Sequence, residues 1–268
     1  MQGVFILIVI ALYLGLLMLI SHLTSRKGTD NDAFFRANKQ SKWYVVAFAM
    51  IGTSISGVTF ISVPGMVRNL DMTYMQMVFG FFFGYLVIAY VLLPLYYKLN
   101  LTTIYGYLDQ RYGPKSYKTG AWFFLISKIV GAAARLYLVA FILQSLVFDT
   151  WGVPFVVTVI GIILVIWMYS HKSGVKTIIW TDWLQTLLFL IALVLIILEV
   201  TSRLNFSLGD TVTAIKNSPH SRIFVFDDWG STQNFFKQFF SGMFITIVMT
   251  GLDQDQMQKN LTIKSLKD

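Results

Sequence analysis

Three groups of residues in this chain have types and spacings that could do chemistry. Asp182 lies about one turn into an apolar block, in Ile179-Trp180-Thr181-Asp182-Trp183-Leu184-Gln185. An ionised carboxylate at membrane depth needs a counter-ion or a water-filled path, and its oxygens suit a hard cation such as sodium. The alternative is an interfacial aspartate favoured by the start of a helix. Arg135 sits in the middle of another block, in Gly131-Ala132-Ala133-Ala134-Arg135-Leu136-Tyr137. Its guanidinium can hold a carboxylate through two parallel hydrogen bonds, or can bond helix-end carbonyls in a structural role. The third group is Gly52-Thr53-Ser54-Ile55-Ser56-Gly57-Val58-Thr59, small and hydroxyl-rich inside a block that is expected to end at Pro64-Gly65. Such a helix can open, exposing carbonyls to a cation and amides to a solute. Close packing of two membrane helices explains the same composition.

The elements that must position these residues are transmembrane helices. Hydrophobic residues make up 56% of the 268 and charged residues only 13%, and the apolar ones are gathered into blocks at 3–24, 43–64, 73–97, 120–148, 154–170, 177–200 and 233–252. Each can cross a bilayer that needs about 20 helical residues. A single glutamate, Glu199, fits a chain whose main solvent is lipid. The first block lacks a basic leading segment and is too long for a signal core, so it reads as a retained helix. The whole chain, 1–268, reads as one all-α polytopic membrane domain in which 201–232 forms a long loop.

Sorting the basic residues by alternate loops predicts the orientation. One set holds Arg26, Lys27, Arg36, Lys39, Lys42, Lys98, Arg111, Lys115, Lys118, Lys172, Lys176, Lys259, Lys264 and Lys267. The other holds Arg68, Arg203, Lys216, Arg222 and Lys237. Positive loops stay in the cytoplasm, so the N-terminus is expected outside, the C-terminus inside, and 201–232 on the extracellular or periplasmic face as a lid or connector. Lys128 reads as a snorkelling residue.

Composition also excludes functions. The charge of +8 is spread over short loops rather than one soluble face, which argues against nucleic acid. There is no cysteine, hence no disulfide and no thiolate chemistry. His22, His171 and His220 lie at block edges or in loops, and no phosphate-cradling loop or paired-carboxylate spacing occurs, so an enzyme has no machinery here. The seventh block carries Thr246, Thr250 and Gly251 and runs into Asp253-Gln254-Asp255-Gln256-Met257-Gln258-Lys259. Its glycine marks a second possible break, and the polar tail reads either as part of that break or as a cytoplasmic cap.

On four segments taken in order the chain resembles the sodium/solute symporter family: Gly52 to Gly57, Thr103 to Gly113, Ser173 to Gln185, and Asp253 to Lys259. The resemblance implies a LeuT-type inverted-repeat transporter fold: one preceding helix, the first repeat, and the first helix of the second. It implies sodium held by the backbone carbonyls of Gly52 and Ile55, with Asp182 close to that site. Ser54, Ser56 and Thr59 match positions facing sodium or solute, and Thr246 on the second broken helix joins Arg135 as a candidate solute contact. Family members usually continue for roughly as many residues again, so a second repeat is expected to complete the site, and a chain ending at Asp268 is not expected to transport alone. Sugar-carrying members have a glutamate where Val78 stands here, which disfavours sugar. Acid-carrying members keep an arginine near Arg135, which favours an anionic organic solute. The expected function is sodium-coupled symport across the inner or plasma membrane by alternating access. The rival is a membrane-embedded sensor input domain derived from a symporter.

Overall fold

The computed structural model describes residues 2–24, 36–101, 103–170 and 174–266, and among these it is helical with no strand. His171 and Ser173, and the basic residues Arg26, Lys27, Lys172 and Lys267, lie outside the described residues. Each apolar block is built from helix: α1 (Gln2–Thr24), α2 (Trp43–Ser54), α3 (Gly57–Leu70) and α4 (Tyr74–Val87), which a π turn joins to α5 (Leu93–Lys98). Then follow α6 (Gly106–Tyr112), α7 (Pro114–Leu143), α8 (Phe155–Ser170), α9 (Val175–Arg203), α10 (Leu208–Lys216), α11 (Phe235–Thr246) and α12 (Gln254–Asn260). Among the described residues four stretches, Gly3–Thr24, Thr59–Lys98, Pro114–Trp151 and Val175–Arg203, are long and apolar enough to cross a membrane. The bent pair Phe235–Gly251 and Gln254–Asn260 makes a fifth, and Trp43–Ser54 is a shorter apolar helix ahead of the first break.

The second block does open where its composition suggests, but it does not end at Pro64-Gly65. The helix runs on to Leu70 with Pro64 inside it. A proline removes only one backbone donor, and a membrane helix tolerates that when neighbours satisfy the freed carbonyl. The chain turns instead at Asp71, which adopts a φ of 54°.

Two seams set the bundle. Between α4 and α11 the backbones touch: a Cβ on Gly80 would stand 2.1 Å from the Phe239 carbonyl oxygen, and one on Gly242 2.2 Å from that of Met77. Between α2 and α9 the core is Val45, Val46 and Ala49 against Val175 and Ile179. Without a hydrophobic drive between helices in lipid, such close approach is what holds spans together.

At one end of the bundle the segment after α10 is tied to the α3–α4 junction. Gln76 is fully buried; its amide donates to the Gln233 carbonyl (2.9 Å) and accepts from Val225 N–H (3.0 Å). Asp71 pairs with His220 at 2.9 Å, and Phe79 stacks on Phe224. Gln76→Leu strands the Val225 donor and the Gln233 acceptor, at about 1–3 kcal/mol for each buried group. The expected result is faster tryptic cleavage after Arg222 with the spans intact, measured by limited proteolysis.

At the other end α12 buries Gln256, Met257 and Lys259 and leaves Asp255 exposed. Met257 and Leu261 enter a core with Ile88, Tyr96, Leu101 and Ile104. The Tyr96 hydroxyl donates to the Gly251 carbonyl (2.9 Å), the Ile104 amide donates to Gln254 Oε1 (2.8 Å), and the Tyr97 hydroxyl donates to the Asn260 carbonyl (2.9 Å).

Candidate functional site

The site is organised by the two-residue break between α2 and α3. Ser54 and Thr53 turn their hydroxyls back onto the carbonyls of Met50 (3.0 Å) and Ala49 (3.2 Å), which weakens the last turn of α2. Ile55 (φ −89°, ψ 121°) and Ser56 (φ −107°, ψ 161°) are extended. Ser56 then caps α3: its hydroxyl accepts from the Thr59 amide (3.1 Å) and bonds the Thr59 hydroxyl (2.9 Å). The Ile55 amide takes the Ile51 carbonyl (3.0 Å). The carbonyls from Gly52 to Ile55 are therefore the orphan acceptors of a helix end, at its negative pole. Among the described residues no hydrogen bond reaches those of Gly52 and Ile55.

Gly52 has no room for a side chain. A Cβ there would stand 2.2 Å from Thr186 Oγ1 and 2.8 Å from the Asp182 carbonyl oxygen. This approach lets Thr186 donate to the carbonyls of both Asp182 (2.8 Å) and Phe48 (3.0 Å), fixing α9 against α2. Asp182 is thereby brought to Thr53, whose hydroxyl donates to Asp182 Oδ2 at 3.0 Å.

The partner that a buried carboxylate requires comes from α12. Lys259 Nζ lies 2.5 Å from Asp182 Oδ2 and 2.6 Å from Thr53 Oγ1, with Asp255 Oδ1 farther off at 4.0 Å. The lysine side chain is 3% exposed and that of Asp182 18%. This corrects the reading of Lys259 as a loop residue, because the polar tail folds back as a buried helix. The sequence carried a signal for it, since Met257 and Leu261 flank the lysine one turn apart in an otherwise polar tail.

The seventh block is also broken. After Gly251 the chain passes through Leu252 and Asp253, and α12 leaves at 69° to the preceding helix. Asp253 caps α12, accepting from the amides of Asp255 (2.9 Å) and Gln256 (3.2 Å), and pairs with Lys128 at 2.6 Å. Lys128 is thus the counter-ion of the second break rather than a snorkelling residue. Burial, and then the negative charge of Asp253, hold the Tyr105 phenol above its ordinary pKa.

The remaining candidates are dispersed. Arg135, on α7, is exposed and donates through Nε to the Gly131 carbonyl of its own helix (3.1 Å). Thr246 is buried in the α4–α11 seam, where a Cβ on Gly84 would stand 2.7 Å from its Cβ. Ser54 and Ile55 line a mostly apolar cavity of about 590 Å³, shared with Ile51, Tyr85, Ala89 and Asn260, a volume in the range of small-molecule sites. No cluster of three or more His, Cys, Asp or Glu side chains suited to a metal occurs among the described residues.

Paired broken helices in an all-helical membrane bundle define a multi-pass membrane protein of the inverted-repeat transporter class. The profile of the sodium:solute symporter family matches residues 34–265, and the chain belongs to that family. It is 27% identical over 188 residues to the sodium/sialic acid symporter NanT of Aliivibrio fischeri, a match covering 70% of this chain and 36% of that protein. Against the sodium-dependent multivitamin transporter of Oryctolagus cuniculus it is 27% identical, over 83% of this chain and 34% of the relative. Against the sodium/sialic acid symporter SiaT of Proteus mirabilis it is 24% identical, over 96% and 51%. The fold matches a solved Na⁺-coupled sialic acid symporter with a TM-score of 0.82 at 23% identity, covering 95% of this chain and 52% of that one. The fold is thus of the LeuT type, and the chain spans between a third and a half of the length of these curated relatives.

Proposed function

We propose that this chain forms the sodium-binding first half of a symporter that moves a small organic acid inward on a sodium gradient by alternating access. The observation that carries the reading is the break at Ile55–Ser56, which leaves the Gly52 and Ile55 carbonyls unpaired at a helix end, beside a span bearing Asp182. A hard monovalent cation suits such oxygens. The remaining ligands come from a second repeat with a Ser/Thr-rich helix. In this reading the N-terminus is outside and the C-terminus cytoplasmic, in the inner or plasma membrane. The half-helices α2 and α12 then lie on the cytoplasmic side of their breaks.

Arg135 selects the anion. The similar proteins are named as carriers of sialic acid, vitamins and monocarboxylates, and two of these classes are acids by name. Ser54, Ser56, Thr59 and Thr246 supply hydroxyls on the two broken helices.

The test is uptake by the longest continuous reading frame containing this chain, reconstituted in vesicles with a panel of labelled monocarboxylates, a sialic acid and a neutral sugar. Acid uptake is expected under an inward sodium gradient and not when potassium replaces sodium. Equal uptake in potassium would remove the coupling claim, and uptake of the sugar alone would remove the anion claim.

A further inference from the structure

The ammonium of Lys259 is held by two side-chain oxygens, from Thr53 and Asp182. Its two close ligands, Asp182 Oδ2 at 2.5 Å and Thr53 Oγ1 at 2.6 Å, are hard oxygens of the kind that sodium uses. Lysine carries a compact point charge rather than a planar fork, so it substitutes for a small cation more closely than arginine does. Two cations sharing one carboxylate at this burial repel strongly, because screening by water is weak.

The three groups belong to three elements: Thr53 to α2, Asp182 to α9 and Lys259 to α12. The lysine is thus the ionic tie that draws one half of the second broken helix onto one half of the first. Its third acceptor is poor, with Asp255 at 4.0 Å. We infer that Lys259 is a tethered cation: its ammonium and a free sodium ion are alternative occupants of the Thr53–Asp182 oxygens, and exchanging one for the other releases α12 from α2 and α9. The inference rests on the sodium reading above and adds to it a residue and a consequence. Sodium at Asp182 and the latched position of α12 exclude one another, and by linkage each weakens the other by the same factor.

The experiment is lysine acylation footprinting by mass spectrometry on the membrane-embedded full-length protein, titrated with sodium against choline. The 3% exposure of the Lys259 side chain protects it without sodium, while the exposed Lys216 serves as the internal standard. Labelling of Lys259 is expected to rise about tenfold or more, the scale of ordinary coupling between sites. It should follow the same half-saturation as sodium-dependent fluorescence from Trp183, which adjoins Asp182. Asp182→Asn should leave Lys259 reactive at every sodium concentration, and Lys259→Gln should lower the half-saturating sodium by about the same factor. A fluorescence response to sodium with unchanged Lys259 labelling would overturn the inference and leave the symport reading standing. So would a higher sodium requirement in Lys259→Gln. No sodium response at all in the unmodified protein would overturn both. The footprint is read on the wild-type chain, so it does not depend on any variant folding.

Discussion

Asp182→Ala is expected to destabilise the protein by about 3–5 kcal/mol, the cost of breaking a buried ion pair from one side, and to raise the sodium needed for half-maximal uptake at least about tenfold. The first effect follows from what remains. Lys259 keeps one close acceptor, Thr53 Oγ1, and its buried ammonium is left with the exposed Asp255, at 4.0 Å, as its nearest countercharge. The second effect has two sources, since the variant loses an anionic oxygen beside the break and leaves a poorly compensated cation next to it. The double variant Asp182→Ala with Lys259→Met removes both charges and is expected to recover most of the stability but none of the sodium affinity. Buried pairs replaced by apolar groups are often near neutral in stability, and two residues in contact are strongly non-additive. Thermal unfolding in detergent measures the first effect and uptake against sodium concentration the second. An unchanged sodium curve in Asp182→Ala would take the aspartate out of the cation path.

The same ion pair shows where the sequence is legible and where it is not. The spans can be read because lipid demands long apolar runs, and the blocks at 3–24, 43–64 and 177–200 all fall on helices. The first break is legible because Gly52 to Thr59 is a local signal whose hydroxyls cap and uncap the backbone within four residues. Gly80 and Gly84, four residues apart within the third block, are a small-residue pattern of the kind found at tight helix seams, a signal that was present in the sequence and went unused, and both pack against α11. Lys259 is different. It finds Asp182 across 77 residues, and nothing local to either one specifies the other. Hydrophobic periodicity is weak in α12, because Met257 is its one apolar residue and the polar Gln256 and Lys259 are buried beside it. The π turns at Ile88–Leu92, Gln144–Phe148 and Ile247–Gly251 likewise leave no compositional trace. Within the loop at 201–232, the helix α10 is set by a capping box, Ser207 with Asp210, that alternation and hydropathy do not detect.

Arg135→Gln is expected to lower uptake of carboxylate solutes by about 30- to 150-fold, equivalent to about 2–3 kcal/mol for a charge-assisted bidentate pair, while sparing any neutral solute the protein accepts. The guanidinium spends Nε on the Gly131 carbonyl, and its two Nη groups make no further hydrogen bond among the described residues. They form a free fork on an exposed face of α7, deep in a span. A charge so placed is costly in lipid, and an anion or a water-filled path offsets that cost. Glutamine keeps a donor within reach of Gly131 and retains much of the side-chain bulk, so the helix should fold as before; what it loses is the charge and the two-point geometry. Lysine restores the charge without the fork and should recover only part of the rate, which separates geometry from electrostatics. Competition uptake with an acid and a neutral solute on the same preparation decides the matter. Selective loss of the acid identifies Arg135 as the anion contact, whereas equal loss of both assigns it to holding α7 in shape.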